Sequence, residues 1–116
     1  MKRKISEMLL GVSEDYISLG EDEEHRRQLL FGAVSAWNVA CLATSDRERA
    51  LQAFMTAYRK ANPTQTPEDY ADEERDMRAL IQKKCQMFPD ENAQILNATL
   101  NEDDGKMHVT VASVRA

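Results

Sequence analysis

Glycine and proline are scarce in this chain, four and three residues out of 116, which excludes collagen-like, low-complexity and linker-dominated architectures. Cysteine is limited to Cys41 and Cys85, too few to staple a small secreted scaffold, so both are expected to be reduced. No apolar run reaches the roughly 20 residues that a membrane helix needs. Positive charge is in deficit: 15 basic against 20 acidic residues give a net charge of −5, and that field opposes nucleic acid and anionic membranes. The basic start Met1-Lys2-Arg3-Lys4 is followed by only Met8-Leu9-Leu10 before charge returns, too short for an export signal, so a cytoplasmic location is expected.

What is present is 42% hydrophobic and 30% charged residues, the composition of a packed globule. The fold class expected is mostly α (α+β), one domain over residues 1–116, a four-helix bundle-like arrangement with a C-terminal two-stranded antiparallel hairpin. Ile5, Met8, Leu9, Val12, Tyr16 and Leu19 recur at helical spacing and predict a first helix over about 3–18, with Gly11 and Ser13 as its weak points. From Leu29 to Ala43 only Ser35 and Asn38 are clearly polar, so the second helix, about 22–43, is predicted to be the central buried one.

Two strips are expected on that helix. Gly32, Ala36 and Ala40 form a narrow one, open to close approach by another helix; Leu30, Val34, Trp37 and Cys41 form a bulky one. Asn38 buried without partners would be costly, so it is expected to bond to loop backbone. Ser45-Asp46-Arg47-Glu48 reads as a capping box opening a third helix over about 46–61, ended by Asn62-Pro63. Thr66-Pro67 then predicts the N-terminus of a fourth helix, about 67–87, stopped by Phe88-Pro89. Ala36-Trp37-Asn38-Val39-Ala40 followed by Ala50, Phe54 and Tyr58 resembles one tetratricopeptide repeat over less than a third of the chain. No second copy follows, so no repeat architecture is predicted.

After residue 93 the period changes to two, and strands are predicted over about 94–101 and 106–114. Asp104-Gly105 as a two-residue turn sets Leu100 opposite Val109, Ala98 opposite Val111 and Asn101 opposite His108. On this reading Leu96, Leu100, Val109 and Val111 form the face that packs on the helices.

Candidate chemistry is sparse. Asp22 and His25 are three residues apart at the start of the second helix, and Asp72, Glu73 and Asp76 lie on the fourth. A carboxylate-x-x-His pair facing further carboxylates is how helical bundles assemble metal sites. The competing explanation is electrostatic, since acids in a first helical turn are stabilised by about 0.3–1 kcal/mol each by the helix dipole. No sequence places a nucleophile beside a base, so no catalytic residue and no cofactor are expected.

The hairpin is different. Two strands alone are marginal in water, and neither Ile95–Leu100 nor Val109–Val114 carries the charge or proline that usually guards an edge. Pairing with a second copy is therefore expected, with Ile95, Asn97, Thr99, His108, Thr110 and Val114 at the interface. The expectation is a small acidic, non-enzymatic protein–protein interaction module of regulatory type, homodimeric, meeting a partner of basic character and neither nucleic acid nor membrane. The alternative is a small metal-binding protein using Asp22, His25 and the helix-four carboxylates.

Overall fold

Helices α1 (Ile5–Ile17), α2 (Glu23–Ala40), α3 (Thr44–Ala61) and α4 (Pro67–Met87) are followed by one antiparallel hairpin, β1 (Gln94–Asp103) and β2 (Lys106–Val114). The structure is a computed structural model and describes residues 4–114. The basic Lys2-Arg3 run and the first expected position of helix one lie outside the described residues. No helix among them is long and apolar enough to cross a membrane.

α2 is the axis of the fold, in contact with α1, α3, α4 and β1. Its Leu30, Ala33, Ala36 and Trp37 join Leu9, Ile17, Leu51, Met55, Met77, Ile95 and Leu100 in one apolar cluster, on which Met107, Val109 and Val111 of β2 also pack. It is not buried all round, however: Phe31 is 70% exposed. The reason lies in α3, which buries only Leu51 and Met55 and so leaves one flank of α2 uncovered. α1 runs unbroken through Gly11 and Ser13, because Ser13 turns its hydroxyl back to donate to the Leu9 carbonyl at 2.6 Å.

Two helix boundaries differ from the sequence expectation. α2 stops at Ala40 rather than near 43, and the apolar residues that prolong its hydrophobic run form the turn, where the Leu42 carbonyl accepts from Arg47 Nε at 3.1 Å. The Ser45–Glu48 capping box does not form. Ala43 is the N-cap of α3 and offers no side-chain acceptor, Ser45 lies inside the helix, and Glu48 is drawn away to Arg78 at 2.8 and 2.9 Å. The box that forms is at α4, where Thr66 Oγ1 accepts from Asp69 N at 3.1 Å and Asp69 Oδ2 accepts from Thr66 N at 3.0 Å.

The α1–α2 connection depends on Gly20. A Cβ there would lie 2.5 Å from Arg26 Cγ and 2.8 Å from Arg26 N, so only glycine lets the chain pass. Arg26 then donates to the Gly20 carbonyl at 2.9 Å and to both carboxylate oxygens of Glu102, which fastens this corner to β1.

Asp104 and Gly105 have φ of 51° and 74°, the left-handed pair of a two-residue turn, and the register is the expected one: Leu100 opposite Val109, Ala98 opposite Val111, Asn101 opposite His108. A bulge between Ile95 and Asn97 departs from the regular strand expected there. It makes Leu96 the extra residue and reverses the alternation beyond it. Leu96, expected on the packed face, is 70% exposed, and Ile95, expected at an exposed interface, is 4% exposed in the core.

Candidate functional site

The flank that α3 leaves open is a groove of about 470 Å³, with Tyr16 of α1, Leu29, Phe31 and Gly32 of α2, Phe54 and Tyr58 of α3 and Glu73 of α4 among its lining residues. A volume of that size is within the usual range for small-ligand clefts, roughly 300–1,000 Å³. On α2 and α3 its lining comes from the N-terminal part of the one and the C-terminal half of the other, the ends opposite the three-residue turn that joins the two helices.

Across the groove, Tyr16 Oη donates to Glu73 Oε1 at 3.0 Å. Gly32 makes room for it, since a Cβ at that position would lie 3.0 Å from the Tyr16 hydroxyl oxygen. The expected narrow strip on α2 thus admits one phenol of α1.

The wall is aromatic. Phe54 and Tyr58 stack at 6.1 Å between centroids with 24° between planes, and Tyr70 meets Tyr58 edge-on at 6.2 Å. Tyr58 is oriented by donating to Gln65 Oε1 at 2.9 Å, and Tyr70 by donating to the Asn62 carbonyl at 2.6 Å. These two bonds fix the α3–α4 loop as the end wall.

Burial pushes the Glu73 carboxyl above its ordinary value of 4.5; the Tyr16 hydrogen bond opposes that shift and Asp76 adds to it. Burial likewise raises Asp76, against the pull of Arg75. The Tyr16 phenol is held far above its usual range, by burial first and then by the charge on Glu73. No ion pair reaches Glu73 among the described residues.

A raised carboxylate value means that the folded chain holds the proton more tightly than the unfolded chain does. Stability from this group is therefore full below about pH 4.5 and is lost as pH rises through the folded value. The groups facing it are Tyr16 from α1, His25 from α2, Tyr58 from α3 and Asp76 on α4. Glu73→Gln keeps an acceptor for Tyr16 and removes the titration. The variant is expected to be more stable than wild type at pH 7 and indistinguishable from it near pH 4, as urea unfolding at the two pH values will measure.

The residues expected to hold a metal are not gathered. Asp22 is consumed as the N-cap of α2, accepting from His25 N at 2.8 Å, and His25 Nδ1 accepts from Glu21 N at 3.1 Å. Asp72 pairs with Arg75 at 3.0 Å. Of the five, only His25 and Glu73 line the groove. Among the described residues no group of three or more His, Cys, Asp and Glu is arranged to hold a metal ion. The first-turn acids act instead as caps and dipole partners.

The remaining candidates have packing roles. The Cys41 thiol, raised by burial, lies 3.6 Å from the Ala93 carbonyl oxygen, which disfavours the nucleophilic thiolate. His108 is exposed, opposite Asn101. Sequence reasoning missed the Tyr16–Glu73 pair, since 57 residues separate the two. Glycine in the middle of an otherwise well-filled helix was the one available signal. No protein-family model, curated protein or solved structure matches this chain.

Proposed function

We propose that this chain is an acidic, non-enzymatic interaction module of the cytoplasm, regulatory in type, which assembles as a homodimer through the outer edge of β2 and meets a second, basic protein. The observation that carries the dimer is a difference between the two edges of the hairpin. On β1, Asn38 Nδ2 donates to the Ile95 carbonyl at 2.9 Å, Asn38 Oδ1 accepts from Ile95 N at 2.7 Å, and Arg27 Nε donates to the Leu100 carbonyl at 3.2 Å. α2 thus caps the β1 edge at two places.

Because the Leu100 carbonyl points away from β2, its opposite residue Val109 turns its own N–H and C=O outward, and by alternation so do Met107 and Val111. Among the described residues no hydrogen bond from another element meets these groups. β2 carries a single formal charge, Lys106 at one end, and Val114 at the other end is half exposed. Two such strands paired antiparallel about a two-fold axis near Thr110 keep the like charges apart and complete a four-stranded sheet. Of the residues expected at the interface, His108, Thr110 and Val114 lie on β2 and remain with it; Asn97 and Thr99 lie on β1, and Ile95 is buried, so these three do not. The unpaired state of Cys41 and Cys85 supports the cytoplasmic assignment.

Light scattering at micromolar concentration is expected to give twice the chain mass of 13.2 kDa. Val111→Pro removes an outward-facing N–H, a position where a strand tolerates proline. It is expected to halve that mass while the helical circular dichroism is retained. A monomeric wild type overturns the dimer.

A further inference from the structure

We propose that the α2–α3 groove is a receptor for one lysine side chain of the basic partner, its aliphatic stem against the aromatic wall and its ammonium at the Glu73 carboxylate. The inference rests on the interaction-module reading and names the chemistry of its second partner.

Three observations converge on a cation. Glu73 is a half-buried carboxylate with no ion-pair partner among the described residues, although the chain pairs other acids readily, as Arg78 does with Glu48 and Glu74. The nearby charge is of the same sign, Asp76, so the Tyr16 hydrogen bond is offset in part and no cation among the described residues pairs with the carboxylate. Tyr16, Phe54 and Tyr58 line the walls, and aromatic rings attract a desolvated ammonium.

Two more features separate lysine from other occupants. Tyr16 already donates to Oε1, which leaves Oε2 as the open acceptor. One open oxygen suits the point charge of an ammonium better than the two-pronged guanidinium. A macromolecular rather than a free amine is indicated by Phe31 at the mouth, 70% exposed, whose ring a neighbouring segment would cover.

The buried Glu73 carboxylate also carries a desolvation cost that binding relieves. Burial without a counter-ion costs stability at neutral pH, and an arriving ammonium removes that cost. A residue that destabilises the free protein and is relieved by a partner fits a binding role better than a packing one.

The test is titration of the 15N-labelled full chain with the blocked tripeptide acetyl-Leu-Lys-Leu-amide, followed by amide chemical shifts. Shifts centred on Gly32, Tyr58, Gln65 and Glu73 that saturate are expected. The peptide with norleucine in place of lysine, and the lysine peptide on Glu73→Gln, should each bind at least tenfold more weakly. Because Glu73→Gln is expected to be more stable than wild type, loss of binding in it is not loss of folding. Equal binding by the norleucine peptide, unchanged binding to Glu73→Gln, or shifts scattered away from the groove each overturn the proposal, and equal binding by an arginine peptide overturns its lysine specificity. Running the titration on Val111→Pro as well keeps it independent of the dimer, since the groove and the β2 edge share no residue.

Discussion

Asn38→Asp is expected to cost about 3 kcal/mol of stability at neutral pH and to recover much of that loss near pH 4, because it replaces the donor to the Ile95 carbonyl with a charged oxygen. In the native chain the Asn38 amide imitates a neighbouring strand: it donates to the Ile95 carbonyl and accepts from the Ile95 N–H. An aspartate keeps the acceptor but sets a charged oxygen against that carbonyl. The new carboxyl is half-buried and faces a carbonyl, so its folded value rises above the unfolded value of about 3.9. The sign follows. Stability is restored as pH falls through the raised value, because the protonated acid donates where the amide did. Asn38→Leu loses both bonds and is expected to show a similar loss with no such recovery. Urea unfolding of the three proteins at pH 4 and 7 separates the two; a pH-independent deficit in Asn38→Asp would show that the donor to Ile95 is dispensable.

That pairing explains which parts of the fold could be read from residues alone. The elements were legible because each is signalled locally: the change of period after residue 93, proline at the first position of α4, Asp104-Gly105 with the apolar alternation around it. Even the obligation of Asn38 was legible, since an amide in an apolar helix must find a partner. Its partner was not, because the strand it meets lies 57 residues further on. The bulge at Leu96 has the same origin. A sequence alternating over Leu96, Ala98 and Leu100 predicts a regular strand. Docking Ile95 on Asn38 requires one inserted residue, which is a tertiary demand without a local signature.

The Ser45 capping box illustrates the opposite failure. The motif is locally sound, but α2 ends early enough that α3 starts one residue before Ser45, and Glu48 gains two bonds from Arg78 on α4 that the box could not offer. The groove was illegible for a further reason. It goes with how little of α3 is buried, and neither the spacing of Leu51, Phe54, Met55 and Tyr58 nor its apolar content shows how many of those residues the fold will cover. What the sequence did carry were the residues, Glu73 among the metal candidates and Gly32 in the narrow strip. Their meeting through Tyr16 needed three helices.

The largest expected loss is that of Trp37→Ala, about 4 kcal/mol, close to the whole stability of a marginal domain. Trp37 is 1% exposed, donates from Nε1 to the Ala93 carbonyl at 2.8 Å, and lies 6.3 Å from the Phe88 ring between centroids. Lys84, itself 2% exposed, holds its ammonium 5.2 Å from the indole centroid while donating to the Glu91 carbonyl. The indole therefore ties α2 to the end of α4 and to the entry of β1 simultaneously. Alanine opens a cavity beside a buried cation and strips the Ala93 carbonyl of its indole donor, leaving only the weak Cys41 thiol. Trp37→Phe separates the contributions: it keeps most of the volume and the ring face under Lys84 but loses the donor, for an expected cost of about 2 kcal/mol. Because Trp37 is the single tryptophan, wild-type unfolding can be followed by its fluorescence, and the variants by circular dichroism. A urea midpoint for Trp37→Ala within about 0.5 M of wild type would mean that the hairpin entry is held by Asn38 alone, whereas a drop of about 2–3 M is expected for a domain of this size.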